Sequence, residues 1–229
     1  MLSTLLQIPT VTSTPASTTP PAVDQELHIF ELLVKGGPIM IPIAILLVLA
    51  IYLWIYKSIT ISQLSRMDER MIPAIKDQLT SGNLSSAEAY VRNINTAQAR
   101  VIDSGIATLG RSMREIESNL ETASEIEIMQ MEKHLGYMGI IAGIAPMLGF
   151  IGTIAGVIKI FYNISVSNDI SISIISSGLY EKMITSGFGL LTGIIAYGGY
   201  HLLNMKIDRT ALKLQRNSFE FIRIINKSE

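Results

Sequence analysis

The sequence predicts an all-α, multi-pass membrane protein with three transmembrane helices, and two observations carry this prediction. Charged residues make up 16% of the 229 residues, against roughly 25% in soluble domains, and the mean hydropathy is +0.40. Three long windows, residues 36–56, 134–158 and 183–205, contain no Asp, Glu, Lys or Arg. Each matches or exceeds the roughly 20 residues that a helix needs to cross a bilayer. The alternative, three buried helices of a soluble protein, is disfavoured because such long uncharged runs are uncommon in soluble cores.

The distribution of basic residues predicts the orientation. Of the 18 Lys and Arg residues, nine lie between Lys57 and Lys133 and six follow from Lys206 onward. Because loops rich in Lys and Arg stay in the cytoplasm, we expect the N-terminus outside and the C-terminus in the cytoplasm. Spans two and three then extend into the cytoplasm.

The predicted organisation has seven segments. They are an outer, partly disordered N-terminal segment (1–35), span one (36–57), a cytoplasmic helical region (58–133), span two (134–162), a short periplasmic turn (163–172), span three (173–205) and a cytoplasmic C-terminal helix (206–229). The Ser/Thr/Pro-rich composition of residues 10–21 favours disorder. A cleaved signal peptide is the alternative for the N-terminus, although no basic residue precedes its short leucine patch.

In the cytoplasmic region, turn and capping signals alternate with amphipathic stripes. Ser81–Asn83 predicts a turn, and Ser85 with Glu88 fits a capping box that would open the next helix. The interval from Ser112 to Leu135 has neither Pro nor Gly, which predicts one long helix that continues into span two. Apolar stripes occur at helical spacing in this interval and in the tail: Met113, Ile116, Leu120 and Ala123, then Ile207, Ala211, Leu214, Phe221 and Ile225. These faces must pack on each other or on copies of the chain.

Spans two and three differ from span one in being rich in small residues. Span one is bulky and aromatic at its cytoplasmic end, which is typical of a lipid-facing helix. In spans two and three, small residues that let helix backbones approach closely predict tight packing. The candidate packing residues are Pro146, Gly149, Gly152, Gly156, Gly189 and Gly193.

The polar side chains within these spans are few, and they are the candidate functional residues. Thr153 either serves a pathway or donates back to its own helix. Thr185, Ser186 and Thr192 supply further hydroxyls. Glu181 is a functional candidate because a carboxylate at membrane depth is costly unless it is paired or faces water.

A simpler interpretation is that Glu181 lies at the outer surface of the membrane that the helix spans, beside Lys182. Adjacent residues point about 100° apart on a helix, so a pair within the chain is a poor expectation and a partner on another helix a better one.

Several classes of function are excluded or unsupported. The near-neutral net charge of −1 excludes a bulk nucleic-acid-binding surface, and the absence of Cys excludes disulfides and thiolate sites. The three His are far apart in sequence, and no phosphate loop, HExxH or nucleophile elbow is present. We therefore expect no enzyme activity, no metal and no cofactor. Three spans are too few to enclose a solute pathway, so transport would need several copies.

Three stretches resemble the ExbB/TolQ/MotA family of ion-driven motor subunits, with the ExbB branch the most similar. Residues 34–59 resemble its GG-x-x-M-x-P motif at the start of span one. IAPMLGFIGTIAGVI resembles its A-P-x-x-G-x-x-G-T-x-x-G signature in span two, and residues 178–200 resemble its E-x-x-x-x-T-x-x-G-L pattern in span three. The second-span match is the most specific, and residues 1–25 lie outside the resemblance.

The resemblance implies a homo-pentamer in the bacterial inner membrane, whose second and third spans line a pore. An ExbD-like single-span partner inside the pore would bring the membrane carboxylate. Proton flow past that group would use the proton-motive force to drive a TonB-like protein at outer-membrane receptors. By position, Thr153 matches the pore threonine of span two, Glu181 the glutamate of span three, and Ser186 the threonine of span three.

Two questions stay open from the sequence. Glu181, Thr185 and Thr192 share a helix face, so Thr185 could be the pore hydroxyl if the register differs by one, although Ser186 keeps the family spacing to Gly189. The functional alternatives are a TolQ-like envelope-integrity subunit and a structural membrane scaffold that conducts nothing. A MotA-like stator is disfavoured because such chains have four spans.

Overall fold

The computed structural model describes residues 36–167 and 172–228, and every regular element in them is an α-helix. The predicted N-terminal segment and part of the predicted periplasmic turn lie outside these residues. The helices are α1 (Met40–Leu64), α2 (Met71–Thr80), α3 (Leu84–Arg92), α4 (Ala97–Ile106), α5 (Met113–Glu132), α6 (Leu135–Ser167) and α7 (Ile172–Ser228). The all-α prediction is therefore confirmed for the described part of the chain.

The helix α7 has an apolar first part, which contains the uncharged window 183–205, and a charged second part from residue 206 onward. With 57 residues, α7 is about 85 Å long at 1.5 Å per residue, far more than a bilayer core needs. Its first part packs with α1 and α6 to form what we call the apolar bundle. Its second part packs with α2, α4 and α5, and α3 joins them through α2 and α4 to complete the polar bundle. We call the end of the apolar bundle that lies away from the polar bundle its distal end.

The polar bundle holds the larger hydrophobic core. The stripes predicted on α5 and on the tail of α7 are confirmed, because Ile116, Leu120, Leu214 and Phe221 are at most 2% exposed and belong to one buried cluster. Glu127, also buried, accepts two hydrogen bonds from the Arg100 guanidinium, one of them from Nε at 2.7 Å. These hydrogen bonds raise the pKa of Arg100.

The apolar bundle has the opposite pattern. Its interior cluster consists of Ala50, Ile141 and Ala196 with a few half-buried neighbours. Its surface exposes large apolar side chains such as Val48, Phe150 and Ile194, each at least 63% exposed. A soluble protein rarely leaves so much contiguous apolar surface in water, so this surface is suited to lipid or to other copies of the chain.

Two described helices are long and apolar enough to cross a membrane. They are Met40–Leu64 and, counted across a short break, Met113–Val166; only 22% and 28% of their most apolar windows is buried, unlike a soluble core helix. The third predicted span, residues 183–205 within α7, is not among them, since Gly, Ser, Thr and His dilute its hydropathy. Three spans therefore stay a prediction.

Two local predictions were wrong in detail. The predicted turn at residues 81–83 is present, with Gly82 at φ +69°, but α3 begins at Leu84, where the Asn83 side chain rather than Ser85 accepts the capping N–H. The helix predicted to run unbroken from Ser112 ends at Glu132. His134 at φ +68° separates it from α6.

A long-range contact lies beside the break before α6. The Lys57 ammonium, buried on α1, donates to the Met131 carbonyl at 3.2 Å, at the end of α5. A cation is favoured at the carboxyl end of a helix, where carbonyls lack partners within the helix. Because α1 supplies this contact from 74 residues away, the local sequence gives no sign of it.

Candidate functional site

The helices α6 and α7 cross at backbone contact, and the predicted small residues form the crossing. A Cβ atom at Gly189 would lie 2.7 Å from the Ala145 carbonyl oxygen and 2.9 Å from the Gly149 Cα. A Cβ at Gly193 would lie 2.5 Å from Pro146 Cγ. A larger side chain at either position would push the two helices apart, so contact at this crossing depends on glycine at 189 and 193.

The same seam continues toward the distal end. A Cβ at Gly152 would be 3.0 Å from Thr185 Cγ2. One turn farther along, a Cβ at Gly156 would be 2.0 Å from Lys182 Cγ. The two glycines thus leave room for two α7 side chains against the backbone of α6.

Thr153 lies on this seam and is half-buried. Its hydroxyl is 3.2 Å from the Gly149 carbonyl of its own helix and 3.4 Å from the Lys182 carbonyl of α7. The back-bonding geometry that the sequence left open is therefore present, and the same hydroxyl also reaches α7. A hydroxyl donates one hydrogen and still accepts, so it can also bind water or a partner group.

The other predicted hydroxyls separate into two groups. Thr185 and Thr192 are completely buried within the chain. Thr185 donates to the Gly36 carbonyl at 2.7 Å, and Thr192 donates to the Phe188 carbonyl of its own helix at 2.8 Å. Ser186 is half-buried, and its backbone lies against Gly149.

The expectation of no pair between Glu181 and Lys182 was wrong. The Lys182 ammonium lies 2.7 Å from a Glu181 carboxylate oxygen. The angular argument failed because a lysine side chain is long, and Gly156 lets its stem lie flat on α6 so that Nζ returns to the neighbouring residue. The Glu181 side chain is 39% exposed and that of Lys182 is 18% exposed.

The turn before α1 completes the distal cluster, which consists of Gly36, Gly37, Thr153, Glu181, Lys182 and Thr185. Gly37 has φ +76°, and a Cβ there would be 2.9 Å from Glu181 Oε1. Sequence reasoning assigned this turn only to the start of span one. The adjacent glycines at 36 and 37 are the signal that could have indicated close approach.

The side chains of the cluster can donate and accept hydrogen bonds, but they do not form a set of metal ligands. It contains one carboxylate, one ammonium and two hydroxyls, and among the described residues no group of three His, Asp or Glu could hold a metal. Thr192 stands apart, seven residues or about 10 Å along α7 from Thr185. The structure thus brings together Thr153, Glu181 and Thr185, with Ser186 beside them at the helix crossing.

Comparison with known proteins decides the family. The sequence profile of the MotA/TolQ/ExbB proton channel family matches residues 93–216, more than half of the chain. The chain belongs to this family. The matched residues run from α4 through most of α7, so they contain the crossing and all of the distal cluster except Gly36 and Gly37. Family membership and the apolar helices together make this a membrane protein.

Individual family relatives are distant. A putative biopolymer transport protein ExbB homolog of Methanothermobacter thermautotrophicus is 25% identical over 188 residues, covering 82% of this chain and 67% of the relative. The biopolymer transport protein exbB1 of Vibrio cholerae is 33% identical over 87 residues, 38% of each chain. The Tol-Pal system protein TolQ of Haemophilus influenzae is 24% identical over 110 residues, 47% of each chain. The matches thus span less than half the length of the two bacterial relatives.

Proposed function

We propose that this chain is the channel subunit of an inner-membrane motor that uses the proton-motive force to energise TonB-dependent outer-membrane transport, with no enzymatic step. Family membership and two relatives named ExbB support this proposal. In this arrangement the chain crosses the membrane three times, with the distal end periplasmic and the polar bundle and C-terminus cytoplasmic. The position of the Lys and Arg residues supports that orientation, because nine of the 18 lie in residues 57–133 and six in residues 206–229.

The proposed assembly is a homo-pentamer whose α6 and α7 segments line a pore around an ExbD-like single span. The exposed apolar surface of the apolar bundle supports close neighbours in the membrane. The observation that carries the proposal is that residues 134–158 and 183–205 contain hydroxyls but no carboxylate. A proton path through this depth therefore needs an acid from a partner, and the ExbD-like subunit is the proposed source. A TonB-like protein would receive the resulting motion.

The proposed pore hydroxyls are those of Thr153 and Ser186. The burial of Thr185 and Thr192 inside the chain favours this pair, because a buried side chain is not available to a partner in a central pore. Hydroxyls suit the role because they donate and accept hydrogen bonds without carrying charge. They would hold water or bind the carboxylate of the partner. Either contact would lower the free energy that is needed to place this charged group inside the membrane.

The replacement of Thr153 by Val tests this function, because it removes the hydroxyl and keeps the volume. In cells that lack their own subunit, we expect Thr153→Val and Ser186→Ala to reduce energised uptake by about tenfold or more, with normal amounts of assembled protein. Thr192→Val, which also removes a threonine hydroxyl, is the matched control and should keep the uptake. Normal uptake in both Thr153→Val and Ser186→Ala would favour the non-conducting scaffold.

A TolQ-like role in envelope integrity is the second candidate, supported by the TolQ relative of Haemophilus influenzae. The two roles predict different partners, so the single-span protein that co-purifies with the chain separates them. Vesicles that hold the assembly, tested with proton and sodium gradients in turn, would identify the conducted ion. A sodium requirement would overturn the proton assignment in either role.

A further inference from the structure

The stem of Lys182 lies against the backbone of α6 at Gly156, where any larger residue would have to displace it. A Cβ at Gly156 would stand 2.0, 2.3 and 2.5 Å from Cγ, Cδ and Cε of Lys182. Overlap with three successive carbons shows that the whole stem, and not only its flexible tip, occupies this groove. The groove directs the ammonium back to Glu181, 2.7 Å away.

The turn before α1 covers the same pair from the other side. A Cβ at Gly37 would lie 2.9 Å from Glu181 Oε1 and 3.4 Å from Lys182 Nζ. Thr185 holds this turn in place through its 2.7 Å hydrogen bond to the Gly36 carbonyl. Two helices and a turn therefore contact one ion pair, and only the Glu181 side of the pair stays substantially exposed.

A partly covered ion pair differs in energy from its separate charges, and the difference is smaller than for a fully buried pair because the Glu181 side chain is 39% exposed. The removal of one partner leaves an uncompensated charge in a partly desolvated site, whereas the removal of both at constant volume is often nearly neutral. Lys159, which is also on α6 and three residues beyond Gly156, is exposed and provides a comparison for the charge alone.

We propose that Lys182 is a positioning residue that fixes Glu181 as a charge-compensated group at the periplasmic end of the ion path. Glu181 then shapes that end of the path and does not itself take up and release the conducted proton. This inference rests on the proposed function, because it assigns the roles of two residues within the same pathway. If Glu181 does not carry the proton, the carboxylate that does so must come from a partner, as the proposed function already assumes.

Five variants of the full chain, one of them a control, are expressed with the partners in cells and test the proposal through energised uptake per assembled subunit. We expect Glu181→Gln and Lys182→Met each to lower uptake by about tenfold, and the double variant to recover to within about threefold of wild type, because the neutral pair leaves no unpaired charge. Lys182→Arg keeps the charge and should keep most of the activity. Lys159→Met is the matched control and should resemble wild type.

A second perturbation leaves both charges in place. Gly156→Ala must displace the Lys182 stem and should lower uptake as Lys182→Met does. Gly143→Ala, on the same helix with nothing within 4 Å of its Cβ, should not. If the charge variants fail to assemble, the comparison of Gly156→Ala with Gly143→Ala tests the proposal instead. Equal uptake in these two alanine variants would contradict it.

The remaining outcomes separate this inference from the proposed function. If Glu181→Gln and the double variant are both inactive while Lys182→Met is normal, Glu181 carries the ion and the proposal is wrong. If all variants resemble wild type, the pair has no role in the path and the proposal is also wrong. If wild-type uptake persists after the proton gradient is collapsed, the proposed function itself fails.

Discussion

Replacement of Gly189 by alanine should separate α6 from α7, because this position has the tightest backbone contact of the crossing. The new methyl group would start 2.7 Å from the Ala145 carbonyl oxygen and 2.9 Å from the Gly149 Cα. Non-bonded atoms prefer about 3.5–4.0 Å, so the helices must move apart locally by up to about 1 Å. Backbone atoms cannot rotate away as a side chain does, so the displacement spreads along the seam.

The expected cost of Gly189→Ala is about 1–3 kcal/mol in the free energy of unfolding, the usual range for overpacking. A gap of this size forfeits about a quarter to a half of the van der Waals energy of the contacts that it opens, and such packing is the main force between helices in lipid. Thermal unfolding of the purified assembly in detergent measures the effect. Gly187→Ala, two residues away with nothing within 4 Å of its Cβ, is the control.

Equal stability of the two alanine variants would refute this reasoning. It would mean that α6 and α7 do not cross at Gly189, and the positions assigned to Thr153 and Ser186 on the same seam would lose their support.

Three further predictions concern stability. Arg100→Met should lower the free energy of unfolding by about 3–5 kcal/mol, because it leaves the Glu127 carboxylate buried without its partner, and denaturant titration measures the loss. Thr185→Val should cost about 1–3 kcal/mol, because the Gly36 carbonyl loses its donor, and faster hydrogen exchange in the turn before α1 would show where the loss occurs. Asn83→Ala should cost about 1 kcal/mol through the lost cap of α3, seen as a small shift of the thermal midpoint.

The features that the sequence predicted correctly depend on local patterns. The stripes on α5 and on the tail of α7 have helical spacing, and Ile116, Leu120, Leu214 and Phe221 are buried accordingly. The small residues of spans two and three are also a local pattern, and a Cβ at Gly189 would meet the backbone of α6, whereas one at Gly193 would meet the ring of Pro146. The functional roles given to Thr153 and Glu181 stay predictions.

The features that the sequence did not predict depend on contacts between distant residues. The break at His134 lies beside a hydrogen bond from Lys57 to the Met131 carbonyl, and no periodicity in α5 indicates that contact. The pair between Glu181 and Lys182 depends on the space at Gly156, which lies on another helix. A helical wheel gives the direction of a side chain from its own axis, but it cannot show what a neighbouring helix allows a long side chain to do.

The most direct test of the proton-channel account is proton flux into vesicles that contain the co-purified assembly, followed with a pH-sensitive dye. We expect Thr153→Ser to conduct nearly as wild type does and Thr153→Val to conduct at least about tenfold less at equal protein, since only serine keeps the hydroxyl. Equal flux in wild type and Thr153→Val, with the partner still bound, would contradict a hydroxyl-lined proton path in this family member.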